Sequence, residues 1–324
     1  MKGIKLGVAV LALAFVGCGG QGGVGTGFPD PPTGSVLLAS GPGINGGTSL
    51  RIYRAGDTWE YEVSGTMLRE EFDESSTRVS RNQGPVTGSM TRTITAVTVT
   101  GIGPCFKVTD ALTYKLNGGL PTVEVLETYL SQAVDGSVTM LGRRQNSSNA
   151  APGVGGSTQP WLPGTLGAGA NVGGAGRFDH TLTGYPSTTF DISTAFAVTG
   201  SSTVTADSSP VFNTWRALYT DSMHNNWSVM AWFKAFNISN GFIFKTKEDI
   251  SSTDEWAASI GAPVTRKYNS TRIDSVVHGD VSYTPPTYDG TTGALITPES
   301  IAYEYHTINR TLNLDMVLRR RSLQ

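Results

Sequence analysis

Four histidines, His180, His224, His278 and His306, are the side chains here best suited to metal or general acid–base chemistry, but they stand tens of residues apart without the close pairing of a sequence-encoded metal site. Asp179-His180 is the one acid–imidazole pair along the chain, able to orient a ring toward a hydroxyl for acyl transfer if a third residue folds onto it. As neighbours on one strand or loop, the two also suit an exposed surface, and no GxSxG elbow supplies the nucleophile. Glu70-Glu71 with Asp73-Glu74 makes an acidic cluster of the kind that binds a divalent cation or pairs carboxylates; beside Ser75-Ser76 it reads as a solvated loop guarding a sheet edge. Gly20-Gln21-Gly22-Gly23-Val24-Gly25 matches the dinucleotide fingerprint letter for letter, without the preceding strand and following helix that the phosphate cradle needs. Cys105, beside Phe106 in an apolar run, reads as a buried, inert thiol. These residues predict no catalytic, cofactor or metal site.

The composition narrows the partners. The 324 residues carry a formal charge of -2 and a pI near 6.1, which offers no field to a polyanion, so no nucleic-acid partner is expected. The only basic run, Arg319-Arg320-Arg321, suits a solvated strand end or tail. Charged residues are 15% and Gly is 40 of 324, the signature of a neutral, turn-rich chain. Five Asn-x-Ser/Thr matches, at Asn146, Asn226, Asn237, Asn269 and Asn309, are what a chain rich in Ser and Thr yields by chance.

Met1, Lys2 and Lys5, then an apolar run from Leu6 to Val16, have the layout of a secretory signal too short to serve as a spanning helix. Phe15-Val16-Gly17-Cys18 resembles the bacterial lipobox, with Phe15 where the family usually has Leu. The resemblance implies cleavage after residue 17 and a thioether diacylglycerol plus an amide-linked acyl chain on Cys18, a stable membrane anchor. It also places the protein in the bacterial envelope, and Gly19 in place of Asp favours the outer membrane where Gram-negative sorting applies. Acylation leaves Cys105 without a disulfide partner. The Gly/Pro-rich stretch after Cys18 lacks apolar side chains to bury and predicts a disordered tether through residue 49.

Beyond the tether, two-residue alternation dominates. Trp59, Tyr61 and Val63 alternate with Thr58, Glu60, Glu62 and Ser64; Phe106, Val108, Leu112 and Tyr114, and Phe190, Ile192, Phe196 and Val198, mark further half-buried strands. Asn117-Gly118-Gly119 and Asp135-Gly136 are hairpin turns and make 105–144 a three-stranded meander; Asn240-Gly241 predicts another hairpin, which favours strand over helix for 226–238. Pro104, Phe106, Ala111 and Leu112 match Pro210, Phe212, Ala217 and Leu218 at a constant offset of 106, which suggests two related halves, 50–145 and 178–324. Residues 146–177, rich in Gly and Ala, read as a linker between them, and a terminal strand near Ile301 to Leu318 closes or edges the sheet. The expected fold is mostly β, antiparallel meanders in a sandwich or curved half-barrel.

Ala55-Gly56-Asp57-Thr58-Trp59-Glu60-Tyr61 resembles the G-[ND]-T-W-x-Y element of bacterial secreted and lipoprotein β domains, and the segment around Trp256 resembles their second element. Those families imply architecture more than activity, and Trp59, Trp215, Trp227 and Trp232 read as core aromatics. The function expected is therefore a noncatalytic envelope lipoprotein, with a membrane partner through its acyl chains and a protein or hydrophobic-ligand partner through its body. A carrier of lipid in a curved sheet is the alternative. A hydrolase, in which a histidine converges on a hydroxyl, is the second.

Overall fold

The computed structural model describes residues 47–145, 153–180, 188–205, 211–225 and 243–324. Trp59, Tyr61, Val63 and Met67 of β1 (Thr58–Phe72) are buried on one face of the strand, and the polar residues between them turn to the other. The same alternation continues through β2 (Arg78–Val99) and, less regularly, β3 (Gly103–Leu116), breaks in β4 (Pro121–Gln132), where Glu127 to Leu130 are all buried, and resumes in β5 (Val138–Gln145). Then follow β6 (Gly153–Leu162), β7 (Asn171–His180), β8 (Thr188–Thr205), β9 (Val211–Asn225), β10 (Ile243–Ala257) and β11 (Ala262–Thr284). A small exposed hairpin, β12 (Thr287–Tyr288) and β13 (Leu295–Thr297), precedes the last strand, β14 (Ser300–Ser322).

Each long strand is antiparallel to the next, and β14 returns to pair with β1 from Thr58↔Ser322 to Phe72↔Thr307. The antiparallel meander thereby closes into a barrel of twelve strands in chain order, with the terminal strand as the closing one. The two anticipated turns of the 105–144 meander are present: Asn117 and Gly118 adopt positive φ (52° and 69°), and Gly136 does the same at 90°. The Asn240-Gly241 turn and residues 226–238 lie outside the described residues, as do the signal, the lipobox and the tether up to residue 46.

Three expectations need correction. Residues 146–177 are not a plain linker, because β6 and most of β7 fall inside them. The sheet therefore runs without a break from first strand to last. The tether ends before residue 49: Thr48 O accepts from Leu166 N at 2.6 Å, and Ser49 bridges Thr165. The matched residues Leu112 and Leu218 do not play matching roles, since Leu112 lines the lumen whereas Leu218 is 48% exposed. Facing changes along β9: Phe212 and Thr214 are buried on even positions, then Ala217, Tyr219, Asp221 and Met223 turn inward on odd ones.

The outer face is built for water. Thr87, Ser89, Thr91, Thr93 and Thr95 on β2, Lys267, Asn269 and Thr271 on β11, and Thr311, Asn313 and Asp315 on β14 project outward between inward-facing partners. A barrel that spans a bilayer carries an apolar band there instead. No described helix is long and apolar enough to cross a membrane.

Closure requires bending, and glycine permits it in β1 and β2. A Cβ on Gly65 would stand 1.9 Å from Asn313 O, and one on Gly88 2.1 Å from Thr113 O, so at both points the neighbouring backbone approaches where no side chain fits. Gly88→Ala should cost about 1–3 kcal/mol in denaturant unfolding. Gly200→Ala, in a strand position with nothing within 4 Å, should stay within about 0.5 kcal/mol.

Candidate functional site: the barrel lumen

A cap closes one end of the barrel. The chain enters across it: Leu50 N donates to Gly164 O (2.9 Å), Arg51 N to Ala258 O (2.9 Å), and the Gln132 amide takes Tyr53 N and returns a bond to Arg51 O. Asp57, wholly buried, gathers Arg51, the Arg54 amide and the Gln324 amide, joining both ends of the described chain. The two tryptophan elements meet here. Trp59 Nε1 donates to Ile260 O (3.2 Å), and the Tyr61 hydroxyl to Pro263 O (2.9 Å). Tyr53 stacks edge-on to Trp59 at 6.1 Å, so these two elements build the floor of the barrel.

Above the floor, long charged side chains cross the lumen. Arg143 of β5 donates through Nη1 to Asp221 Oδ2 of β9 at 2.6 Å, and both are nearly inaccessible. Arg310 of β14 reaches Glu124 of β4 and lies 3.4 Å from Glu248 of β10. Arg92 forks onto Asp110 with two 2.7 Å bonds, and Arg266 forks onto Asp254, which also accepts from Trp256 Nε1. Burial works against each of these cations, but the facing carboxylates outweigh it and hold the guanidinium groups protonated beyond their ordinary range. None of these pairs is visible as a sequence motif, because partners such as Arg143 and Asp221 lie on distant strands.

Between the pairs remains a cavity of about 110 Å³. Met90, Leu112, Leu126, Trp161, Met223, Ile250 and Met316 supply apolar wall, and Arg143, Asp221, Glu248 and Ser252 supply polar wall. Arg143 Nε, Asp221 Oδ1 and Ser252 Oγ make no hydrogen bond among the described residues. The volume exceeds one water and approaches the roughly 150 Å³ that admits benzene, but falls well short of the roughly 300 Å³ expected of a lipid carrier.

The residues singled out from sequence do not converge there. His306 Nδ1 lies 2.9 Å from Glu71 Oε1 toward the barrel end opposite the cap, and His224 Nε2 lies 3.4 Å from Asp249 on the outer face. An outer groove beside His224 also holds Ser193 and Ser222, but these hydroxyls bond to each other at 2.8 Å. The side chains of Asp179, His180 and His278 are outside the described residues. The acidic cluster is split by alternation: Glu70 pairs outward with Arg78, Glu71 pairs with His306, and Asp73 caps its own turn through Ser75 and Thr77. No group of acids, histidines and cysteines able to hold a metal occurs among the described residues.

Cys105 is only partly buried, a correction to the buried thiol expected; burial still pushes its pKa up, which keeps it a thiol. The terminal arginines are a second correction. Arg319 pairs with Glu62, and Arg321 lies over the Phe212 ring at 5.5 Å, so the run is knitted into the wall rather than solvated. Trp59, Trp161 and Trp256 are buried and Trp215 partly so; Trp227 and Trp232 lie outside the described residues. The sequence reading missed Trp161, which carries no signal beyond its aromatic type in a Gly-rich segment. No protein-family model matches the chain, and no curated protein is significantly similar to it.

Two measurements test the lumen. Asp221→Asn should cost about 3–5 kcal/mol by leaving the Arg143 cation buried without its carboxylate, and pairing it with Arg143→Met should recover part of that loss in a double-mutant cycle. Burial holds the phenols of Tyr53 and Tyr114 up at about 12. A raised folded pKa means that the neutral phenols stabilise the fold fully below the unfolded value near 10, and that this stability is lost as pH climbs from about 10 to 12. Phenolate absorption of the buried tyrosines should therefore appear above pH 10 in a cooperative step that coincides with loss of the β signal.

Proposed function

We propose that the protein is an exported lipoprotein, anchored through an acylated Cys18, whose barrel is a noncatalytic binding scaffold for a small molecule held in the lumen. The observation that carries the reading is the amphipathic cavity: a closed wall, a mixed apolar and polar lining, and polar atoms without partners on residues that face it. The small volume argues for a passenger smaller than a lipid, so the carrier reading survives only in that reduced form.

Among the described residues the chain first meets the barrel at its capped end, through Thr48, Leu50 and Arg51. A hydrolase would need a hydroxyl free to meet a carboxylate-bound imidazole, and beside His224 the Ser193 and Ser222 hydroxyls bond to each other at 2.8 Å.

The test has two arms. Metabolic labelling with a radioactive fatty acid should mark the wild-type chain and not Cys18→Ser, and the variant should leave the membrane fraction. Mild extraction of the purified mature protein followed by mass spectrometry should release a small molecule at close to one per chain. Persistent membrane attachment of Cys18→Ser would refute the anchor, and failure to recover or load any small molecule would refute the binding role.

A further inference from the structure

The chemistry of the cavity points to a class of ligand, an inference that rests on the lumen-binding reading. Arg143 and Asp221 spend one corner each on their mutual bond, Nη1 to Oδ2 at 2.6 Å, and the remaining corners, donor Nε and acceptor Oδ1, are unused among the described residues. On β10, Ile250 is the register partner of Asp221 and Ser252 that of Tyr219, so the unpartnered Ser252 hydroxyl stands one inward position further along the same wall. One donor, one acceptor and one hydroxyl of either role thus belong to residues lining a single small space.

The surrounding charges decide the ligand's charge. Arg92 is matched by Asp110, Arg266 by Asp254, Arg143 by Asp221, and Arg310 lies between Glu124 and Glu248. Four arginines thus face five carboxylates, and each of these ions already has a partner of opposite sign, so a charged ligand would enter this buried space without one of its own, and burying an ion without its partner is disfavoured. Leu126, Met223, Ile250 and Trp161 complete the wall and suit a compact apolar body.

We propose that the lumen binds a small neutral molecule that carries an adjoining hydrogen-bond acceptor and donor on an apolar body, as an amide or lactam does. Its carbonyl accepts from Arg143 Nε, its N–H donates to Asp221 Oδ1, and Ser252 Oγ bonds to whichever group lies nearer. Binding is reversible and involves no covalent step.

Four five-membered rings of nearly equal size separate the terms: 2-pyrrolidinone, cyclopentanone, cyclopentane and pyrrolidinium. Titrated by calorimetry and ligand-observed NMR into the purified acylated protein in detergent micelles, 2-pyrrolidinone should saturate one site and bind at least tenfold more tightly than the other three. Ser252→Ala and Arg143→Lys, which keeps the charge but removes Nε, should each weaken it severalfold while the melting temperature shows that they fold. Should Arg143→Lys fail to fold, Ser252→Ala alone decides. Equal or tighter binding of cyclopentanone or cyclopentane would overturn the donor–acceptor class, and tightest binding of pyrrolidinium would overturn the neutrality, with lumen binding intact in either case. Binding of 2-pyrrolidinone that neither folded variant weakens would move the site away from these residues. Binding of none of the four would remove the lumen-binding reading along with the proposal.

Discussion

A wall of twelve strands encloses more width than ordinary aliphatic side chains can fill, and that constraint shapes the rest of this molecule. Eight strands already leave an interior just wide enough for packed side chains or one small ligand. Here the added width is spanned by the longest side chains available, Arg92, Arg143, Arg266 and Arg310, together with Trp59, Tyr61, Trp161, Trp256 and several methionines. Guanidinium groups carried into the interior must meet carboxylates, so filling the lumen and pairing its charges become one requirement. The bonds from β5 to β9 and from β14 to β4 brace opposite walls. Such pairs contribute little net stability once desolvation is counted, but breaking one is costly, and they therefore favour one register of facing strands over its neighbours.

The two ends of the barrel divide the labour. At the capped end aromatic rings and backbone carbonyls do the packing: Tyr53, Trp59 and Tyr61 each direct a polar atom onto the turn that joins β10 to β11. That turn is a single 3₁₀ step, Ala258–Ile260, ended by Gly261 at positive φ. Toward the other end the inward positions become charged, as Arg69, Glu71 and His306 show. The gradient from aromatic floor to ionic upper wall leaves the mixed lining of the cavity at the middle, where the two regimes meet.

The parts of the fold written in local patterns were legible in the sequence. Alternation identified the inward faces of β1, β3 and β8, and the Asn-Gly and Asp-Gly turns located two hairpins, because both signals depend on residues a few positions apart. The lumen was not legible. Arg143 and Asp221 are an unremarkable basic residue and an unremarkable acid until strand order brings β5 opposite β9, and no short-range rule encodes that order. Composition misled at β6 and β7, where Gly173, Gly174 and Gly176 looked like a linker; there the absent side chains let strands approach instead. The apparent repeat misled for a related reason. One change of facing along β9 sends Leu218 outward where Leu112 points in, and a match of letters cannot register a change of face.

The same glycines decide where the wall is thinnest. Among the described residues β6 and β7 share one ladder pair, Val154↔Asp179, whereas β7 and β8 pair along their whole length from Asn171 to His180. Side chains add to this seam. Gln159 Nε2 donates to Gly174 O at 2.8 Å and to Thr194 Oγ1 at 2.7 Å, reaching past β7 to β8, and Gly174 lets this happen because a Cβ there would press on Gln159 Cγ at 3.1 Å. Two residues along the same strand, Trp161 and Leu162 form part of the cavity wall. The glycine-rich part of the wall is thus also a part that borders the site, with Gln159 tying β7 and β8 to the strand that carries Trp161.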